Sequence, residues 1–248
     1  MLLLSRMPVT SKNMVSGFEF LLNGEIVRVA GVSPTTTLLD WLRSSGRTGS
    51  KRGCDEGDCG ACTVAMVDRD SGGKTTYRAI NSCIALLPMF AGREVLTVEG
   101  LAAGEKLHPV QEAMVSHYGS QCGYCTPGFV VSMFEAYHRN DVKEHCHITD
   151  QLCGNLCRCT GYRPIRDAMI SALARKQKCA EQGTTDSFQA RLHAPVPLPS
   201  AFSYTDGSEH FFRPTSLEKV FALRKQHPTA RLVAGATEIG VELNKKFS

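Results

Sequence analysis

The chain has 248 residues, of which 42% are hydrophobic and 21% are charged, a composition typical of a globular protein. Its 28 basic and 24 acidic residues give a net charge of +4 and nowhere form a long run of like charge, which argues against a nucleic-acid-binding stripe and a polybasic membrane anchor. The apolar start, Met1 to Leu4, is too short for a signal peptide, and no apolar run is long enough to span a bilayer, so the sequence predicts a soluble, cytoplasmic protein.

The first part of the chain alternates short apolar runs with turn residues, which predicts a small β-sheet domain. The pair Asn23-Gly24 separates the apolar runs 18–22 and 26–29 and predicts a tight hairpin. Thr37 is expected to cap a short helix that Gly46 ends. Further strands are predicted over residues 63–67, 75–80 and 94–98.

After about residue 101 the spacing of apolar residues changes to the helical period, which predicts a helical domain. The first helix is expected over residues 110–118. Thr126 is expected to be the N-cap of the second, with Pro127 at its first helical position. A third helix is predicted to start at Pro164 and to end near Lys178.

Residues 179–212 are polar and contain three prolines, which predicts an extended linker. A new pattern begins at Arg213, with a helix expected over 216–226, a strand over 231–234 and then a turn. So short a segment is expected to be unable to build a core of its own.

The chain contains eleven cysteines, which is unusual for a reduced cytosolic protein. Their number is odd, no export signal precedes them, and they fall into tight groups. These features favour ligation of a metal or a cluster over a secreted disulfide framework.

Four cysteines have the spacing that plant-type ferredoxins use for one [2Fe-2S] cluster: Cys54, Cys59, Cys62 and Cys83. Each iron of such a cluster needs two protein sulfurs, while the backbone must curl closely around the inorganic sulfide. Gly53, Gly57 and Gly60 give the loop the conformational freedom that this requires. A four-cysteine zinc site is the alternative, although structural zinc usually takes shorter paired spacings.

Four further cysteines form two close pairs, each ahead of a predicted helix: Cys122, Cys125, Cys157 and Cys159. The partial positive charge of a helix N-terminus stabilises thiolates and an anionic cluster. Taken alone, Cys122-Gly-Tyr-Cys125 is also compatible with a dithiol redox motif, but such a motif should follow a strand in an α/β unit. Cys146, Cys153 and Cys179 are interpreted as buried small hydrophobes, with Cys153 expected near a cluster without ligating it.

Three segments together resemble the iron–sulfur portion of xanthine dehydrogenases and related molybdenum hydroxylases: CDEGDCGACTV at 54–64, QCGYCTPG at 121–128 and GNLCRCTGYRPI at 154–165. The resemblance runs from about Phe18 to Ala174. It implies an α+β chain with a β-grasp ferredoxin domain at 1–100 and a four-helix [2Fe-2S] domain at 101–178. A linker at 179–212 and a truncated start of an α/β FAD domain at 213–248 would follow.

The segment LVAGATEI also resembles the flavin-phosphate loop of this family. The resemblance assigns it FAD contacts from Leu232, Val233, Ala234, Gly235, Ala236, Thr237, Glu238 and Ile239. Clusters followed by a flavin loop are similar to the small subunit of bacterial xanthine dehydrogenases, which favours purine chemistry. Most of the FAD domain and any molybdenum-binding domain are expected to lie outside this chain.

The resemblance further implies a route for electrons. The cluster of the helical domain is expected to lie nearest the molybdopterin of a large partner subunit, with Gln121 and Cys159 close to the pterin. The ferredoxin cluster is expected to face FAD, with NAD as the final acceptor. No residue of the chain is expected to be catalytic, so the chain is predicted to be an oxidoreductase subunit that does not hydroxylate substrate on its own.

Two alternatives remain open at this point. The same module serves aldehyde or aromatic hydroxylases. A protein of another class, a redox-sensing or zinc-stabilised binding protein, also fits paired cysteines.

Overall fold

The computed structural model describes residues 2–6, 17–183 and 186–245. Nine strands lie within these ranges: β1 (Leu2–Arg6), β2 (Phe18–Leu22), β3 (Glu25–Val29), β4 (Thr63–Arg69), β5 (Thr75–Asn81), β6 (Glu94–Leu96), β7 (Phe202–Asp206), β8 (Glu209–Arg213) and β9 (Arg231–Val233). Eight α-helices accompany them: α1 (Leu38–Ser44), α2 (Pro109–Ser116), α3 (Thr126–His138), α4 (His145–Leu152), α5 (Arg163–Glu181), α6 (Ser187–Arg191), α7 (Leu217–Gln226) and α8 (Ile239–Lys245). None of these helices is long and apolar enough to cross a membrane.

The first sheet has the strand order β3-β2-β6-β4-β5, in which β2 and β6 are parallel and the other neighbours are antiparallel. The predicted hairpin forms because Asn23 and Gly24 both adopt positive φ, 53° and 85°, as a two-residue turn requires. The predicted cap of α1 also forms, since the Thr37 side chain accepts a hydrogen bond from the Asp40 N–H at 3.1 Å. This half of the chain therefore folds as its local signals predict.

Helices α2 to α5 form the predicted four-helix domain, and α3 is its centre. Phe129, Met133 and Phe134 of α3 are fully buried. The Phe134 ring meets the Tyr77 ring of β5 edge to face at 4.8 Å between centroids, so the helices and the first sheet share one core. The predicted α+β fold class is confirmed, with a ferredoxin-like sheet followed by a helical domain.

Two helix assignments need correction. Thr126 is the first residue of α3, and Cys125 occupies the N-cap. Proline is tolerated at any position of the first helical turn, so Pro127 did not fix the start of the helix to one residue. Helix α4 lies where no individual helix was predicted, since only Ile148 and Leu152 of its eight residues are buried and so short an apolar pattern shows no clear period.

The described parts of 179–212, residues 179–183 and 186–212, contain more secondary structure than an extended linker. They contain the end of α5, the short helix α6, all of β7 and most of β8. The hairpin β7–β8 continues into a second sheet of order β7-β8-β1-β9, in which β1 pairs antiparallel with both β8 and β9. This sheet packs on the first: the Tyr204 ring lies 5.1 Å from the Phe18 ring, and its hydroxyl donates to the Val32 carbonyl at 2.6 Å.

Candidate iron–sulfur sites

The first cysteine set is formed by Cys54, Cys59, Cys62 and Cys83. Three of these cysteines lie in the loop between α1 and β4, and Cys83 follows β5. The thiols of Cys54 and Cys59 hydrogen-bond to each other, and so do those of Cys62 and Cys83. The Cys62–Cys83 pair is buried at 2% exposure, whereas the Cys54–Cys59 pair is half-buried.

The loop is curled so that its backbone amides point at sulfur. The N–H groups of Glu56, Asp58 and Cys59 lie 3.3–3.4 Å from the Cys54 sulfur. Gly60, at φ 67°, lets the chain turn sharply between Cys59 and Cys62. Burial raises the pKa of the Cys54 thiol, but the hydrogen bonds from these amides outweigh it and bring the pKa below its usual value.

The buried pair shows why this site suits a cation. The hydrogen bond from Cys83 lowers the pKa of Cys62 to about 7, and the same contact together with burial raises the pKa of Cys83 well above its usual value. One thiol ionises at the expense of the other because two adjacent thiolates repel each other. A positively charged partner would stabilise both sulfurs as thiolates, the state in which cysteine ligates a metal.

The second cysteine set is formed by Cys122, Cys125, Cys157 and Cys159. Cys125 hydrogen-bonds to Cys157, and this inner pair is half-buried to buried. Cys122 hydrogen-bonds to Cys159, and both members of this outer pair are exposed. Burial and the contact with Cys157 raise the pKa of Cys125 to about 12. The second set therefore presents one side to the surface and one to the interior.

In both sets the sulfurs associate two by two. A [2Fe-2S] cluster needs this arrangement, because each of its irons takes two protein sulfurs. A single tetrahedral zinc ion would instead hold all four sulfurs in mutual contact. Among the described residues, three or more such ligand atoms lie within 4.8 Å of one another at only two places, and neither includes a member of the two sets. The donor sets therefore fit two-iron clusters better than zinc.

The three other cysteines differ in burial from what was predicted. Cys146 and Cys153 are exposed, so the prediction that they are buried small hydrophobes is wrong for both. Cys146 is exposed because α4 buries only one face, and its thiol donates to the Glu144 carboxylate at 3.7 Å. Cys179 is partly buried on α5.

One of the two close groups of potential metal ligands outside the cysteine sets consists of His108, His138 and Asp186. The Nε2 atom of each histidine lies 3.5 Å from the Asp186 carboxylate. His108 Nδ1 accepts the Val110 N–H, which leaves the ring proton on Nε2 and no lone pair there for a metal. Burial raises the pKa of Asp186, but the hydrogen bonds from the two histidines and a backbone amide outweigh it and hold the pKa well below its usual range. The group connects the start of α6 to the start of α2 and the end of α3.

The two cysteine sets meet through their backbones. The Leu156 N–H, one residue before Cys157, donates to the Cys59 carbonyl at 3.0 Å. Beside it, the Asn155 side chain donates to the Gly60 carbonyl at 3.0 Å and accepts from the Ser132 hydroxyl at 2.6 Å. The cysteine spacing does not predict the role of Asn155, although its position between Gly154 and Leu156 inside the third motif is a usable signal.

Gln121 and the predicted flavin loop lie on opposite sides of the two cysteine sets. Gln121 is exposed next to the outer pair. The predicted flavin loop, residues 232–239, connects β9 to α8 and turns at Gly235 and Ala236, with φ 76° and 62°. Four of its residues line a cavity of about 870 Å³ that also involves β4, β5 and α3.

Helix α8 carries this loop against the first cysteine set. The Asn244 side chain donates to the carbonyls of Asp55 and Cys83 at 3.0 and 2.8 Å, and Lys245 donates to the Cys54 carbonyl at 2.8 Å. Val241 packs on the core cluster that includes Cys62 and Cys83. These contacts also went unpredicted, because no local pattern links Asn244 to residues so distant in sequence.

Two family descriptions match the chain: a [2Fe-2S] binding domain over residues 97–170 and a 2Fe-2S iron-sulfur cluster binding domain over residues 20–87. The xanthine dehydrogenase of Emericella nidulans is 35% identical over 272 residues, covering 92% of this chain and 20% of the relative. Xanthine dehydrogenase 1 of Arabidopsis thaliana is 35% identical over 268 residues, covering 85% of this chain and 19% of the relative. The chain thus spans about one fifth of the length of these relatives.

Solved structures give the same picture. The quinoline 2-oxidoreductase of Pseudomonas putida 86 contains a chain that is 34% identical with a TM-score of 0.57, and the match covers 68% of this chain and 98% of that one. The aldehyde oxidoreductase of Desulfovibrio desulfuricans is 37% identical with a TM-score of 0.58, over 66% of this chain and 17% of the other. Both proteins therefore resemble this chain in fold as well as in sequence.

Proposed function

Because the chain belongs to the xanthine dehydrogenase and molybdenum hydroxylase family, of which it forms the iron–sulfur part, we propose that it carries electrons from a molybdopterin site on a partner toward a flavin. Two [2Fe-2S] clusters, held by the two cysteine sets, would supply the one-electron carriers. The observation that carries the proposal is the order of the sites. The exposed outer pair is followed by the inner pair and then by the first cysteine set, whose backbone contacts α8, the helix that carries the loop at 232–239.

The residues of the chain hold and orient the carriers in this proposal. The backbone amides around Cys54 donate hydrogen bonds that stabilise negative charge on its sulfur. The N-terminus of α3 adds positive potential at Cys125. Neither task involves proton transfer, and the absence of an acid–base catalyst from this chain stays a prediction.

The outer pair is the proposed entry point for electrons. Cys122, Cys159 and Gln121 are all exposed, so a molybdopterin-binding large subunit can approach this face closely. At the other end, the loop Leu232–Ile239 is the proposed contact for FAD, and the adjacent cavity is within the size range of cofactor sites. NAD is the proposed final acceptor, in a hetero-oligomer located in the cytoplasm, where thiols stay reduced. None of the eleven cysteines, all within the described ranges, forms a disulfide.

The proposed substrate is a purine, in line with the xanthine dehydrogenase relatives and the flavin-type loop after the clusters. The aldehyde or aromatic hydroxylase alternative is favoured by a different observation, the match to nearly the whole of a quinoline 2-oxidoreductase chain. The two alternatives share every step on this chain and differ only in the partner.

Iron analysis and paramagnetic resonance of the full chain test the proposal. We expect four iron atoms per chain and two distinct signals after reduction, because the two sets differ in burial and in hydrogen bonding. The substitution Cys59→Ser should abolish one signal and leave the other. Zinc in place of iron, or loss of both signals from this one change, would contradict the two-cluster assignment and favour a binding protein.

A further inference from the structure

The two cysteine sets are joined by one short covalent and hydrogen-bonded path. The carbonyl of Cys59 accepts the Leu156 N–H at 3.0 Å, and Leu156 is bonded directly to Cys157. The path from Cys59 to Cys157 therefore contains one hydrogen bond, and otherwise runs through the covalent bonds of Cys59, Leu156 and Cys157. Cys59 belongs to the half-buried pair of the first set, and Cys157 to the inner pair of the second, so the path joins the facing sides of the two sites.

The backbones approach this closely because glycines lie at the contact. A Cβ on Gly60 would fall 2.3 Å from the Gly154 carbonyl oxygen. A Cβ on Gly128 would fall 2.1 Å from the Gly60 carbonyl oxygen. Distances below 3.0 Å are forbidden for real side chains, so any larger residue would push the loops apart.

Asn155 fixes the register of the contact. It is 3% exposed, and its amide donates to the Gly60 carbonyl at 3.0 Å and to the Thr63 hydroxyl at 3.4 Å. Its oxygen accepts from Ser132 of α3, which is 4% exposed. The side chain thus links the loop of the second set to that of the first, and a buried amide satisfied on both sides holds its neighbours rigidly.

We propose that the hydrogen bond from the Leu156 N–H to the Cys59 carbonyl is the electronic bridge between the two cluster sites, and that Asn155 is the residue that positions it. This inference rests on the proposed function. The step along the bridge moves one electron, so that the site at Cys157 is oxidised by one electron and the site at Cys59 is reduced by one. No bond forms or breaks and no proton moves.

Two pairs of variants of the full, cluster-loaded chain test the bridge. Leu156→Pro and Leu156→Ala both remove an exposed side chain, but only the proline also removes the N–H donor. Asn155→Ala removes the link to Gly60, whereas Ser132→Ala removes only the bond on the other side of the same amide. After a one-electron pulse of reductant, freeze-quenched resonance spectra measure how fast the two cluster signals exchange the electron.

We expect exchange to be several-fold slower in Leu156→Pro than in Leu156→Ala, and slower in Asn155→Ala than in Ser132→Ala, at unchanged midpoint potentials. The magnetic splitting between the two fully reduced clusters should fall in the same order. Equal rates within the first pair would overturn the bridge. If the proline variant fails to hold four irons, the second pair decides, and equal rates there would overturn the proposal. Absence of iron from the unmodified chain would instead refute the proposed function.

Discussion

His108 shows at the residue scale how one ring both caps a helix and faces a carboxylate. Its Nδ1 accepts from the Val110 N–H as the N-cap of α2, and its Nε2 faces the Asp186 carboxylate. Burial lowers the pKa of His108 below its usual value, in spite of the nearby charges of Asp186 and Glu112, and His138 lowers it further. The ring is therefore neutral in the folded chain under conditions where an exposed histidine would be charged.

This arrangement predicts a loss of stability in mild acid. Because the folded pKa of His108 lies below the unfolded one, the unfolded chain binds the proton more readily, and stability present above about pH 6.5 is lost as the pH falls below it. In the variant His108→Asn, which keeps a side-chain cap but cannot titrate, the thermal midpoint should depend less on pH. Circular dichroism melts at about pH 7.5 and about pH 5.5 bracket the ordinary histidine pKa and measure the effect.

His145→Asn is the matched control, because it removes an exposed histidine from α4. It should keep the pH dependence of the unmodified chain. If His108→Asn kept that dependence as well, the buried histidine would not be its source.

Gly128 illustrates a conflict at the scale of an element. Alanine favours helix over glycine by about 1 kcal/mol at interior positions, so Gly128→Ala in α3 should be stabilising by propensity alone. Its methyl group would lie 2.1 Å from the Gly60 carbonyl, however, and such overpacking costs roughly 1–3 kcal/mol. We expect a net loss of stability, with the thermal midpoint lowered by roughly 2–4 °C per kcal/mol.

The control for this change is Gly154→Ala, which adds the same methyl group in the adjoining loop. A Cβ there would meet no atom within 4 Å. A melting temperature reduced equally by both substitutions would mean that the close approach of α3 to the cysteine loop is not what Gly128 protects.

The elements that the sequence predicted best are those with signals confined to a few residues. Asn23-Gly24 fixes the hairpin through its own backbone angles, and Thr37 caps α1 through a side chain three residues from its donor. The second sheet was not predicted, because the pairing of Leu4 with Phe211 joins parts of the chain that no local period connects. Pairing of this kind depends on the packing of the whole chain.

The candidate site divides in the same way. Motif spacing assigned each cysteine to its set, and their role as ligands stays a prediction that the two-by-two contacts support. The bridge at Leu156 and the contacts of Asn244 could not be predicted, because residues such as Asn155 and Gly60 become neighbours only after the two domains pack.

At the scale of the whole molecule, the exposed outer pair predicts where a partner binds. Gln121→Trp places a bulky group beside Cys122 on an exposed position, so both clusters should still assemble in the isolated chain. In the reconstituted complex, reduction of the clusters by substrate should slow, because the added volume increases the separation from the partner. Stopped-flow absorbance measures this rate.

Gln177→Trp is the control, since it changes an exposed glutamine near the C-terminal end of α5, whereas Cys159 precedes the N-terminal end of that helix. It should leave reduction as fast as in the unmodified complex. A Gln121→Trp complex with unchanged kinetics and unchanged subunit affinity would exclude this face as the interface.

Helix α8 has a consequence for the order of events during synthesis. The ribosome makes the chain from its N-terminus, so the first set is translated long before the helix that packs over it. Asn244, which binds the Cys83 carbonyl, lies 161 residues after that cysteine. The two most deeply buried thiols, Cys62 and Cys83, therefore pass through a period in which this cover does not yet exist. If they hold a cluster as proposed, that period is when iron and sulfide would reach them without displacing a packed helix.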